Sequence, residues 1–230
     1  MLSNILGGNI DWADTIIYIL SSLAVIFLTL PVHEFAHGYT AVKLGDDTPR
    51  WQGRLTLNPF AHIDWLGSAC ILLFGFGWAK PVQVNARNFR NPKGGMAVVA
   101  LAGPVSNIIV AFFSFVLINL ISMIPANTEA LAYAIFYIQY FLMYIASINV
   151  YLAVFNLVPI PPLDGSRLLT AILPDRYYYR IMQYERYIFL GLLVILYLGI
   201  LDGPLDFLHG HIMNGVIEFS TLPFKLLNLK

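Results

Sequence analysis

Long apolar segments separated by short polar stretches make up most of the chain. A helix needs about 20 apolar residues to cross the hydrocarbon core of a bilayer. Three segments approach or exceed that length: residues 15–31, which continue as a predicted helix to residue 44, residues 96–124 and residues 130–157. Residues 187–201 form a shorter but strongly apolar fourth segment. This pattern predicts an all-α polytopic membrane protein with a core of three helices plus extra spans.

Two weaker apolar segments leave the number of spans open. Residues 66–78 contain three glycines and are short for a span, so a re-entrant or partly buried segment is predicted there. Residues 212–227 carry a glutamate and a proline, and they either cross the membrane or lie along its surface. Between the spans, residues 51–58 and 80–85 alternate apolar and polar side chains, which favours short extended or hairpin segments over helix.

The composition agrees with lipid as the main solvent. Hydrophobic residues make up 58% of the 230 residues and charged residues 11%, less than half of the roughly 25% found in an ordinary soluble domain. The 13 basic and 13 acidic residues give a formal charge of zero. This balance argues against nucleic acid as a partner, because no basic excess is left to neutralise phosphates. The length suits a single domain over residues 1–230.

The basic residues predict the orientation in the membrane. The stretch before residue 15, the turn after residue 124 and residues 202–211 contain no Lys or Arg. The internal basic residues follow the first span, precede the second, or separate the third from the fourth. If residues 66–78 do not cross, the positive-inside rule makes that side cytoplasmic and places the N-terminus outside. The prediction is an integral membrane protein, of a prokaryotic cell membrane.

The candidate chemistry begins with His33, Glu34 and His37 in the run His-Glu-Phe-Ala-His. At 3.6 residues per turn the two histidines lie one above the other on a helix face, close enough to share one cation. Two imidazoles at this spacing suit Zn²⁺, and the glutamate is placed to move protons on activated water. Polar surface helices also carry this pattern, but here it follows an apolar span. Ionisable groups at membrane depth cost at least about 2.5–3.5 kcal/mol each, so they persist when paired, metal-bound or functional. One Zn²⁺ per chain is therefore the predicted cofactor.

A catalytic zinc site takes three protein ligands, so a third must reach the depth of the two histidines. The third span ends on the same side as the first and runs into Val-Pro-Ile-Pro-Pro-Leu-Asp-Gly at 158–165. Its prolines cannot continue a helix and Gly165 permits unusual backbone conformations, so the segment can turn the Asp164 carboxylate toward the first helix. The alternative is a surface aspartate in a proline-rich turn. His62 and Asp64 compete for the role, but their turn-rich loop is predicted at the interface.

At these residues the sequence resembles the site-2 protease family, the membrane metalloproteases that cleave transmembrane helices of their substrates. The resemblance rests on His-Glu-Phe-Ala-His at 33–37, on Ala-Gly-Pro-Val-Ser-Asn at 102–107, and on Asn149 followed by Phe-Asn-Leu-Val-Pro-Ile-Pro-Pro-Leu-Asp-Gly at 155–165. These motifs run in the family's order from the first predicted span to the third. The resemblance implies an intramembrane zinc endopeptidase acting on transmembrane-protein substrates in the lipid bilayer.

The resemblance also implies a complete metal site with a catalytic base: zinc ligands His33, His37 and Asp164, and catalytic Glu34. It further implies that Asn107 helps to hold substrate or the developing oxyanion, although a helix-packing role beside Gly103 is the alternative. Asn149 and Asn156 are predicted to be structural hydrogen-bonding residues near the site. The expected active site lies nearer the cytoplasmic face.

The chain is expected to be a compact form of the family, since the stretch between the second and third spans has no room for a PDZ domain and no regulatory domain follows at the C-terminus. Two other functions fit buried His and Asp residues: a membrane metal-ion transporter and a non-catalytic zinc-binding relative. An intact Glu34 argues against both, because neither gives it a role. The sequence carries no indication of the oligomeric state.

Overall fold

The computed structural model describes residues 11–74 and 77–227, and within these ranges the chain is helical without a β-strand. This confirms the predicted all-α class. The first part contains α1 (Trp12–Ala24), a π-helical turn (Val25–Thr29), α2 (Leu30–Lys43), α3 (Thr48–Trp51), α4 (Pro59–His62), α5 (Trp65–Phe74) and a 3-10 turn (Ala86–Asn88). The second part contains α6 (Pro92–Ser122), α7 (Glu129–Asn156), α8 (Asp164–Ile172), α9 (Asp175–Met182), α10 (Glu185–Tyr197) and α11 (Asp202–Leu226).

Three helices in the described ranges are long and apolar enough to cross a membrane. They are Trp12–Lys43, formed by α1, the π turn and α2 together, and the long helices α6 and α7. All three agree with the predicted core spans to within a few residues. The predicted fourth span is the 13-residue α10, which is short of a full crossing. It bends by 83° into α11, and the two count as a span only if taken as one broken helix.

The first span changes its winding just before the histidines. Its π turn closes with a hydrogen bond from the Leu30 N–H to the Val25 carbonyl. Pro31 follows in α2, where a proline has no N–H to donate and its ring crowds the carbonyl four residues earlier. The wider turn accommodates the proline without ending the span, so the two histidines continue on the same long helix.

Helix α6 lies at the centre of the bundle and packs against α2, α7, α8 and α11. An apolar cluster joins α6, α7, α10 and α11, and its fully buried members include Ala111, Val150 and Leu192. Helix α1 packs on α7, where the Ser21 hydroxyl donates to the Phe141 carbonyl. These contacts fix the three long helices side by side, with α2 and α8 against the same central helix.

Gly67 lies in backbone contact with residues 77 and 78, while the re-entrant course of segment 66–78 in the membrane stays a prediction. Helix α5 has 10 residues and spans only about 15 Å. A Cβ on Gly67 would overlap the carbonyl oxygen of Trp78, and a Cβ on Gly77 would overlap the Gly67 carbonyl. The two backbones therefore touch directly, and only glycine fits at both positions. Residues 75 and 76 lie outside the described residues.

The prediction of extended or hairpin structure over residues 51–58 is wrong at its start. Trp51 ends the short helix α3, in which Pro49 occupies a first-turn position that suits proline, and a turn follows. The rest of this loop is tied by a hydrogen bond from the Arg54 guanidinium to the Ala61 carbonyl rather than by a strand ladder. Residues 80–85 are non-helical, as predicted.

Asp46 fastens the loop after α2 to the segment that leads into α6. Its buried carboxylate accepts hydrogen bonds from the Thr48 N–H and hydroxyl, from the Asn85 N–H at 2.7 Å and from the Asn88 amide at 2.6 Å. Burial raises the pKa of the Asp46 carboxyl, but these donors outweigh it and lower the pKa below its usual value. The charge therefore holds residues 80–88 beside the C-terminal end of α2.

Candidate active site

Two histidines of α2 and an aspartate 127 residues after the second of them converge between α2 and α8. His33 and His37 lie on successive turns of α2, with their Nε2 atoms 3.0 Å apart. Asp164 is the first residue of α8, and its Oδ2 lies 3.2 Å from His33 Nε2 and 3.0 Å from His37 Nε2. The proline-rich stretch before it ends the third span and turns the chain back toward α2, as the sequence predicted.

This donor set fits a zinc ion. Three ligands at the usual Zn–N and Zn–O lengths of about 2.0–2.1 Å stand roughly 3.3 Å apart in a tetrahedral arrangement, close to the separations in this group. Both histidines are buried, and the group is the one in the described residues whose ligand atoms could hold a metal. The Asp164 oxygen and the two imidazole nitrogens are the donor types that zinc takes in catalytic sites.

A backbone carbonyl of helix α6 orients the His37 ring. The His37 Nδ1 lies 2.7 Å from the Val99 carbonyl oxygen, so Nδ1–H donates there and the Nε2 lone pair faces Asp164. One turn further along α6, a Cβ on Gly103 would overlap His37 Nε2 and lie 2.5 Å from His33 Nε2. Glycine at 103 lets α6 approach the two imidazoles this closely.

Glu34 is buried beside the group and faces the cavity described below. Its Oε2 accepts a hydrogen bond of 3.0 Å from the Val82 N–H, in the non-helical segment 80–85 that Asp46 holds through the Asn85 N–H. The side chain is therefore fixed by the backbone of another segment, while no oxygen of Glu34 belongs to the group of candidate ligands. This placement suits a base next to the metal rather than a ligand to it.

Asn107 lies on α6 one turn beyond Gly103 and is 1% exposed. Its Nδ2 is buried and has no hydrogen-bond partner among the described residues. Such an unpaired donor suits a ligand that arrives from outside the chain. Asn149 is buried on α7, where its Nδ2 donates to the Ile145 carbonyl at 2.9 Å and its Oδ1 has no hydrogen-bond partner among the described residues. Asn156 lines the cavity beside the metal group.

The competing ligands predicted from the sequence lie elsewhere. His62 is buried in α4, and its Nε2 is 2.9 Å from the Thr56 carbonyl oxygen, while the interfacial position of its loop stays a prediction. Its own carbonyl accepts the Lys80 N–H, which ties α4 to the non-helical segment 80–85. Asp64 accepts from the Gly67 N–H at the start of α5. Neither belongs to the metal group.

Three contacts of the site were missed from the sequence: the Val99 carbonyl, the Val82 N–H and the close approach of Gly103. The first two are backbone groups, which leave no mark in the residue type. Gly103 did carry a signal, because a glycine inside a long apolar span loses stability unless something packs against it closely.

Residues 21–199 match peptidase family M50. The chain belongs to this family, the site-2 proteases. It is 43% identical over 182 residues to "Putative zinc metalloprotease YwhC" of Bacillus subtilis, a match that covers 77% of this chain and 82% of that protein. It is 31% identical over 176 residues to "Putative zinc metalloprotease Rip2" of Mycolicibacterium smegmatis, covering 69% of this chain and 62% of that protein. No solved structure gives a significant match.

Membership of peptidase family M50 and the metal group together identify a zinc metalloprotease and confirm the predicted zinc cofactor. The three long apolar helices make it a membrane protein.

Proposed function

We propose that this family M50 protease is an intramembrane endopeptidase, which hydrolyses peptide bonds within or near transmembrane segments of membrane-protein substrates. The observation that supports it most is the position of the candidate site on the first long apolar helix. His33, Glu34 and His37 are buried within Trp12–Lys43, and the same helix faces α6, the second long apolar helix. A substrate has to reach these residues at the depth of the apolar helices.

The site lies nearer the basic end of that helix. Lys43 follows His37 by six positions, a rise of about 9 Å along the helix axis. With the N-terminus outside, as the basic loops indicate, this end is cytoplasmic. Water for hydrolysis then has a short path from the cytoplasm, and the substrate enters from the lipid.

His33, His37 and Asp164 are the proposed ligands of the zinc. Bound zinc supplies a Lewis acid that polarises the scissile carbonyl and makes water nucleophilic near neutral pH. Glu34 accepts the proton of the attacking water and returns it to the leaving amine. The Val82 N–H keeps one carboxylate oxygen of Glu34 in place, which leaves the other free for the proton.

Asn107 completes the proposed machinery from α6. Its unpaired Nδ2–H would donate to the substrate carbonyl oxygen, where negative charge develops during attack. The substrate backbone has to be extended at this point, because the amides of an intact helix are hydrogen-bonded and shielded by side chains. Asn107 therefore both holds the opened backbone and stabilises the charge.

The test separates base catalysis from metal binding. Glu34→Gln keeps the shape of the side chain and should retain zinc, but it should lose cleavage by at least the roughly 10²–10⁴-fold that a positioned base contributes. His33→Ala should lose zinc and cleavage together. Zinc is measured by elemental analysis of the purified proteins. Cleavage is followed by membrane proteomics in cells that carry wild type or Glu34→Gln, where uncut membrane proteins should accumulate in the variant.

If cells with the Glu34→Gln variant have the same membrane proteome as cells with wild type, the proposed function is overturned. That result would favour metal transport, since transport needs the ligands but no base.

A further inference from the structure

A cavity of about 220 Å³ opens directly beside the candidate metal group. His33, Glu34 and Asp164 form its polar end, and the remaining walls are mostly apolar. For scale, an apolar protein cavity of about 150 Å³ binds benzene. The space beside the reacting groups is therefore large enough for a branched aliphatic side chain or a single aromatic ring.

Helix α10 supplies one wall of this cavity. Phe189, Leu192, Leu193 and Leu196 face it, at the i, i+3, i+4, i+7 spacing of a single helix face. Leu192 is 2% exposed, whereas Leu190 on another face of the same helix is 55% exposed. None of the metal-binding or proton-transfer groups comes from α10, so this helix shapes the cavity without taking part in the chemistry.

Another part of the lining is the non-helical stretch after α5, which contributes Gly77, Trp78 and Ala79. The direct backbone contact between Gly67 and residues 77–78 fixes its position. Trp78 meets Phe189 of α10 edge to face, with ring centroids 5.2 Å apart. The two parts of the lining therefore meet at this aromatic contact. The contact limits the size of the substrate side chain that the cavity can hold.

We infer that this cavity is the specificity pocket for the substrate side chain next to the scissile bond, and that it selects a large apolar side chain. Leu192 is the residue that sets its size. The inference rests on the proposed function, because a peptide bond held at the metal group places its neighbouring side chain in this space. Among the described residues, the metal group and Glu34 are the ionisable groups in the lining. No wall residue could neutralise a charged substrate side chain, so the pocket should reject charged side chains.

Zinc-binding hydroxamates test the pocket without a known substrate. The probes are hydroxamates that carry a methyl, isobutyl, benzyl or pyrenylmethyl side chain, titrated calorimetrically into zinc-loaded protein in detergent. Each methylene that the pocket buries should tighten binding by about fourfold, so the isobutyl and benzyl probes should bind far more tightly than the methyl probe. The pyrenylmethyl probe should bind less tightly than the benzyl probe, since four fused rings exceed what a cavity of about 220 Å³ holds at the packing density of a protein interior.

Two substitutions at Leu192 should move this size preference in opposite directions. Leu192→Trp fills the cavity and should remove the advantage of the benzyl probe, while binding of the methyl probe stays within about twofold. Leu192→Ala enlarges it and should improve binding of the pyrenylmethyl probe relative to the benzyl probe, which keeps the test decisive if the tryptophan variant does not fold. Leu190→Trp is the matched control on the exposed face and should leave the order of the four probes unchanged.

The outcomes distinguish the pocket from the metal site. If the methyl probe binds but side-chain size has no effect, or if Leu190→Trp and Leu192→Trp shift the order equally, the pocket is overturned and the metal site stands. If no hydroxamate binds and the protein retains no zinc, the proposed function is overturned and the pocket with it.

Discussion

Gly103 of α6 and His37 of α2 pack so closely that a single methyl group at position 103 would occupy the space of the His37 Nε2 atom. The same methyl group would lie 2.5 Å from Nε2 of His33. The geometry of the candidate metal site thus depends on a residue that has no side chain to offer.

Gly103→Ala should therefore weaken zinc binding while the protein remains folded. The added methyl group pushes the imidazoles apart or moves α6 away, and disturbing groups that orient metal ligands typically costs about 10–100-fold in affinity. Zinc affinity is measured by competition with a chelator. Gly191→Ala is the control, because a Cβ there meets nothing within 4 Å and both changes raise helix propensity equally. Equal zinc affinity in the two variants would contradict the close packing.

Asp164→Ala should lose zinc, whereas His62→Ala should keep it. Asp164 is the only carboxylate within reach of both imidazoles among the described residues, while the His62 ring is directed to the Thr56 carbonyl. The zinc content of both purified variants is measured by elemental analysis. His62→Ala removes a fully buried side chain, so its thermal stability should fall even though its zinc content does not. A zinc-replete Asp164→Ala protein would show that another group completes the site.

Asp46 should make a pH-dependent contribution to stability. Its buried carboxylate accepts from Thr48, Asn85 and Asn88, and loss of the charge in Asp46→Asn should lower the free energy of unfolding by about 2–3 kcal/mol at neutral pH. Because folding lowers its pKa, this contribution is full above the unfolded pKa of about 3.9 and is lost as the pH falls through the lower folded pKa. The difference in Tm between wild type and variant should therefore be constant from about pH 7 to 5 and shrink below about pH 4.

The neighbouring Asp47 provides the control for this measurement. It pairs with Arg50 at 2.9 Å on the surface, and an exposed ion pair of this kind contributes at most about 1 kcal/mol. Asp47→Asn should change Tm little at any pH. A similar effect of both substitutions would mean that the Asp46 charge is not specifically bound.

The orientation in the membrane is testable by cysteine labelling. The single native thiol, Cys70, is first replaced by serine. Cysteines at the exposed positions Gln52, Arg87 and Arg176 should then react only with a reagent in the cytoplasm, and one at Asn127 only from outside. Labelling of positions 52 and 87 from opposite sides would show that residues 66–78 cross the membrane.

The parts of this protein that could be predicted from its sequence depend on strong local signals. A run of about 20 apolar residues defines a span, and the i, i+4 spacing of His33 and His37 fixes their common face. Asp164 could be inferred because spans alternate in direction and prolines end the third one beside the first.

The rest depends on tertiary contacts that no local pattern encodes. The bend between α10 and α11 and the cavity against α10 arise from packing among distant segments. The hydrogen bond from the Val82 N–H to Glu34 could not be predicted, because every non-proline residue has the same backbone donor. The alternating pattern of residues 51–58 wrongly predicted an extended start, because Pro49 favours a helical turn that continues to Trp51.

The order of the site residues along the chain has a consequence for biosynthesis. Asp164 follows His33 by 131 positions, and it comes after the second and third long helices. During synthesis the two histidines and the glutamate enter the membrane first, with no carboxylate to complete the group. A nascent or prematurely ended chain therefore carries an incomplete site. The proposed metal site is complete only after all three core helices have been synthesised and have assembled around α6.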